Sequence, residues 1–162
     1  MRIQKKLIVF SLTGLLIIGM STLLMVKVFA CTQGCTPGFW KNPKHFNYWM
    51  GFSPNDNVGV IFDIEDKWLD DYDFLKGQTL LEALQKKGGQ KGMTNEQKAA
   101  RILLRQAVAA LLNGAHPAID YSSPQAVINL VMGALMSTDA TIIEGVKNHF
   151  RHYNELGSPL CE

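Results

Sequence analysis

TNEQKAARILLRQAVAALLNGAHP, running from Thr94 to Pro117, decides the fold. Thr94 with Gln97 three residues on is a capping box, so a helix opens there. Apolar residues then recur at helical spacing, and Gly114 and Pro117 close the element, so the helix is expected to run through Asn113. Its second half, AVAALLN (Ala107 to Asn113), is apolar almost all round, which a helix tolerates when other elements cover it on every side. The segment is too short to span a bilayer and so reads as the centre of a core.

Working outward, the same signals recur. Thr79 with Glu82 makes a second capping box ahead of LLEALQKK, and Gly88 and Gly89 stop that helix. Ser123 caps a third helix with Pro124 at its first position; it runs to about Ser137 and contains the apolar stretch AVINLVMGALM (Ala126 to Met136). A fourth, from about Asp139 to Leu156, carries Ile142, Ile143, Val146, Phe150 and Tyr153 on one side before Gly157 ends it. Residues 31–78 differ. They are rich in aromatics, Pro, Gly, Asn and Asp without a sustained period, and only Val58 to Ile64 reads as extended. The expected fold is all-α, with about four helices in residues 79–162 and an irregular, aromatic-rich arm over 31–78 packed onto them as one domain.

Residues 1–30 read as an export signal. Arg2, Lys5 and Lys6 form a basic start, Leu7 to Val26 carry no charge, and Val28 with Ala30 gives a small-residue processing site. Cleavage after Ala30 is favoured because Lys27, Gly14 and Gly19 interrupt the run, and the alternative is an N-terminal membrane anchor. Cleavage would leave Cys31 first, a position at which lipidation of the thiol is a further alternative. The protein is expected to be extracytoplasmic, either secreted or held at the cell surface. The chain has 16 Lys and Arg against 14 Asp and Glu. Four of those cations, Arg2, Lys5, Lys6 and Lys27, lie in the signal, so the remaining domain is mildly acidic and nothing points to nucleic acid.

Three cysteines in an exported chain leave one over once two are bridged. Pairing Cys35 with Cys161 would close a loop of more than a hundred residues and stabilise by roughly 4 to 5 kcal/mol. The competing pair is Cys31 with Cys35, a small ring of little effect, and the long-range bridge is favoured. The Cys31–Cys35 spacing is not that of a zinc knuckle.

GCTPGFWKNPKHF (Gly34 to Phe46) resembles the Cys-Thr-Pro-Gly-Phe/Tyr-Trp-Lys opening of a group of exported bacterial and archaeal proteins. The likeness continues through LLEAL (Leu80 to Leu84), RQAVAALLNGAHP (Arg105 to Pro117) and NELGSPLC (Asn154 to Cys161), most of the chain beyond the signal. In those proteins a Cys directly follows the closing Gly, whereas this chain has Ser158 there and Cys161 three places later. The family has no established biochemical activity. The resemblance therefore implies a location and a domain boundary, and no mechanism.

Candidate functional residues cluster in the arm. Phe39, Trp40, Tyr48 and Trp49 can offer rings for stacking on a sugar or peptide, with Lys41, Lys44 and His45 as polar contacts. The alternative makes Trp40 a core plug locking the arm onto the helices. His149 and His152, three apart on one helix, with Glu155 as a third donor, could approach a metal, although a favourable end-of-helix dipole interaction accounts for cations there. Asp63, Glu65, Asp66, Asp70, Asp71 and Asp73 form an acidic cluster that lacks the glycine and final glutamate of an EF-hand. Among the standard catalytic motifs, no G-x-S-x-G elbow, H-E-x-x-H helix or P-loop occurs. No metal, cofactor or catalytic residue is expected. The expected role is an exported, non-catalytic module binding a surface protein or glycan, the alternative being a small hydrolase with a carboxylate pair such as Asp70 and Glu82.

Overall fold

The computed structural model describes residues 31–64 and 72–162, and their fold is all-α. The expected export signal (1–30) lies outside the described residues, as do Glu65, Asp66, Asp70 and Asp71 of the acidic cluster. The chain forms α1 (Pro37–Trp40), a 3-10 helix (Pro43–Tyr48), α2 (Val58–Ile61), α3 (Asp73–Lys76), α4 (Leu80–Gln85), α5 (Asn95–Ala115), α6 (Pro124–Met136) and α7 (Ala140–Asn154). The four expected helices are α4 to α7. The arm expected to be irregular contains four short helices of four to six residues among its described residues, each short enough to escape a periodicity argument.

Local chemistry explains where each element starts. Both capping boxes form: Thr79 and Glu82 exchange hydrogen bonds at α4, and Thr94 and Gln97 at α5. Ser123 caps α6 ahead of Pro124, and Asp139 caps α7. Val58 to Ile64, read as extended, is helical over Val58–Ile61. The Asn57 side chain accepts from the Val60 N–H, and Asp63, at φ 53°, turns the chain out of the helix. Capping thus outweighs the β preference of a Val and Ile run that has no partner strand among the described residues.

α5 is the axis. Ala107 to Asn113 are all buried, and α7, α6 and α4 pack around it, with α1 against its C-terminal half. The other apolar helix departs from expectation. α6 buries Val127, Val131, Ala134 and Leu135, while Met136 is 54% exposed. On α7, Ile143 and Phe150 are core but Ile142 is 48% exposed, because neighbouring residues on a helix point about 100° apart and only one can face α5.

The two ends of the domain meet. Gly34 N–H donates to the Gly157 carbonyl at 2.9 Å, and Cys35 and Cys161 form a disulfide with Cα atoms 5.9 Å apart. Gly34 is required there, since a β-carbon would collide with the Tyr153 carbonyl oxygen. Gly114 meets the same constraint against the Ser122 carbonyl, so the end of α5 lies directly on the loop that leads into α6. Thr32 Oγ1 also donates to Asp120 Oδ2 at 2.6 Å, tacking the first residues onto that loop.

Candidate functional site

The Cys-Thr-Pro-Gly-Phe-Trp-Lys string is held from beneath by one side chain. Asn113, in the apolar half of α5, accepts from Cys35 N–H and from Trp40 Nε1–H, each at 2.9 Å, and donates to the Cys35 carbonyl at 3.0 Å. Its fourth bond goes to Asn154 Oδ1 on α7 at 2.9 Å. Asn154 is equally occupied: its amide donates to the Gln106 carbonyl and to Gln106 Oε1, and its oxygen also accepts from Tyr121 O–H at 3.0 Å. Both asparagines are fully buried and make every hydrogen bond their amides allow. Burial, with Cys31 and Tyr153 close by, pushes the Tyr121 hydroxyl far above its ordinary range, so it acts there as a neutral donor. A satisfied network of this kind fixes one arrangement, since any other leaves buried amides unpaired. It was missed in the sequence, where the visible signal is a lone Asn ending an apolar run.

The arm's rings divide into two sets. Trp40 is 0% exposed and Trp49 is 8% exposed, and the Trp49 Nε1–H donates to the Trp40 carbonyl at 3.2 Å. These two tryptophans are core plugs, which removes them from the expected stacking surface. Their indoles are large enough to fill the gap between arm and helices and find internal partners for both N–H groups. Phe39, His45 and Tyr48 stay half-buried at the surface. The His45 ring stacks on Phe39 at 4.0 Å, Phe39 and Tyr48 lie near-parallel at 6.2 Å, and His45 Nδ1 donates to the Phe39 carbonyl at 2.9 Å. Lys41 is half-buried at the end of α1 and Lys44 is exposed. Of the expected binding residues, Phe39, His45 and Tyr48 therefore come together with Lys41 on one segment.

Behind this face lies His116, buried at the end of α5, 6.3 Å from the Tyr48 ring and 6.4 Å from Trp40. Its Nδ1 accepts from the Ala118 N–H at 3.2 Å, and burial pulls its pKa below the ordinary histidine value. Sequence reading did not single it out.

The remaining candidates are placed as follows. Cys31 is 7% exposed; its sulfur accepts from the Ser122 N–H at 3.3 Å and lies 3.3 Å from the Ser122 hydroxyl. Lipidation of Cys31 would have to displace that contact, since a diacylglyceryl group cannot occupy a closed site between Cys31 and Ser122. Glu155 pairs with Arg151 at 3.0 Å, and the His149 ring packs edge-on against Tyr153 at 4.8 Å. Among the described residues, no three His, Cys, Asp or Glu side chains are placed to hold a metal ion. Of the acidic cluster, Asp73 pairs with Lys76 at 2.8 Å. Glu82 is engaged as a cap, its carboxylate accepting from Thr79 N–H at 2.8 Å.

No family model, curated protein or solved structure matches the chain.

Proposed function

We propose that this protein is an exported, non-catalytic module that binds a surface protein or glycan through the face made by Phe39, His45, Tyr48 and Lys41. The observation that carries the reading is the pair of Phe39–His45 and Phe39–Tyr48 ring contacts left half-exposed on a segment whose tryptophans are buried, Trp40 bonded to Asn113 and Trp49 to the Trp40 carbonyl. Rigid aromatic rings lose little entropy on contact, and a lysine beside them supplies a polar handle. The Cys35–Cys161 disulfide supports an oxidising compartment, in line with the export signal read in residues 1–30 and with the resemblance of the opening motif to exported proteins. Cleavage after Ala30 fits this reading, and the buried Cys31 thiol favours a released or N-terminally anchored chain over a lipidated one.

The test uses surface substitutions. Tyr48→Ser and Lys41→Gln should each weaken retention on cell-wall material or on a partner captured from the cell surface while leaving the melting temperature nearly unchanged. Retention equal to wild type in both variants refutes the reading. Turnover of a polysaccharide or peptide panel that Asp70→Asn abolishes would replace it with the hydrolase.

A further inference from the structure

A second surface feature does not depend on the ring face. An open groove of about 580 Å³ runs between the Thr36–Gly38 turn, α5 and α7. Three cations line it, Arg105, Lys147 and Arg151, against a single carboxylate, Glu155. Two of the cations are matched: Lys147 pairs with Glu144, and Arg151 Nε lies 3.0 Å from Glu155 Oε1. Arg105 is not. It forms no ion pair among the described residues, it is half-buried, and its Nε is closed off from solvent with no acceptor.

A guanidinium stays charged under all ordinary conditions and presents a planar fork of donors suited to a carboxylate. Partial burial strips water from Arg105 and weakens screening, so an arriving anion interacts with it more strongly than with an exposed lysine. The lining also discriminates between anions by its chemistry. Among the described residues it contains no aromatic ring on which a sugar could stack, whereas Pro37 and Ile102 give apolar contact for a peptide backbone and side chain. We propose that this groove binds an acidic polypeptide segment, with an Asp or Glu carboxylate seated on Arg105.

Fluorescence anisotropy of a labelled Gly-Glu-Gly-Glu-Gly-Glu peptide, titrated with the full chain produced in an oxidising compartment, tests this. The acidic peptide should bind with an affinity that falls as salt rises, and the Gln-for-Glu peptide should not bind. Arg105→Gln should weaken binding roughly ten-fold, the effect of losing one charge-assisted pair, and Arg105→Lys should recover part of it. Should Arg105→Gln fail to fold, Arg151→Gln on the exposed end of the groove is expected to weaken binding about three-fold, because it leaves the Glu155 carboxylate unmatched against an acidic segment. Tyr48→Ser, which probes the ring face, should leave peptide affinity at the wild-type value, so the two readings fail separately. Equal binding of both peptides, wild-type affinity in folded Arg105→Gln or in Arg151→Gln, or binding of an acidic oligosaccharide in place of the peptide overturns the proposal.

Discussion

Replacing Asn113 by Ala removes the side chain on which the arm is hung, and the cost can be worked from its four bonds. Cys35 N–H, Cys35 C=O and Trp40 Nε1–H each lose the partner they have among the described residues, while Asn154 Oδ1 keeps Tyr121. A buried polar group left unpaired costs about 1 to 3 kcal/mol, so three orphaned groups give about 3 to 9 kcal/mol. Water entering the space vacated by the amide relieves part of this, and a loss of about 4 kcal/mol is expected. That is a large share of the 5 to 15 kcal/mol typical of a whole domain. Urea unfolding followed by far-ultraviolet circular dichroism measures it. A double-mutant cycle with Trp40→Phe, which deletes the indole donor, should give a coupling of about 1 kcal/mol or more. A loss below about 1 kcal/mol for Asn113→Ala, with no coupling to Trp40, would refute the claim that this network fixes the arm.

Three further outcomes are expected. Replacing Cys35 and Cys161 together by Ser should destabilise by about 5 kcal/mol, the chain-entropy value for a separation of 126 residues, and intact mass with and without reductant should show one bridge and one free thiol at Cys31. Gly34→Ala and Gly114→Ala should each cost about 3 kcal/mol in the same urea assay, because the added methyl meets a backbone carbonyl that cannot rotate away, whereas Gly133→Ala, which meets open space, should be neutral or stabilising. For His116, burial lowers the folded pKa beneath the unfolded value of 6.5, so the unfolded chain binds the proton first; stability is intact above 6.5 and falls as the pH drops through the window from 6.5 down to the folded pKa. His149 is shifted the same way, by burial and then by His152, so His116→Gln should flatten the pH dependence only in part. A histidine NMR titration placing His116 at or above 6.5 would contradict this.

Local rules are enough to place α4 to α7, because their start signals act within four residues: Thr79 and Thr94 bond the N–H three positions on whatever the rest of the chain does. The apolar run from Ala107 likewise identified the axis, since a helix without a polar face must be surrounded. The Cys35–Cys161 pairing was favoured by cysteine arithmetic and loop length, and it is the pairing that forms. What the chain alone left open was direction. Trp40 and Tyr48 are both aromatic and eight residues apart, yet one is fully buried and the other half-exposed, because only Trp40 lies over Asn113. Val58 to Ile61 has the composition of a strand and becomes a helix, since Asn57 caps it and no strand pairs with it among the described residues. Arg105 and Gly38 are distant in sequence and share a groove only once α1 has docked on α5. Helix starts and the central helix follow from short-range chemistry and composition; which rings serve the core, and which cation of the groove has no ion pair among the described residues, depend on long-range contacts, which become energetically favourable only together and so leave no trace in any single stretch of residues.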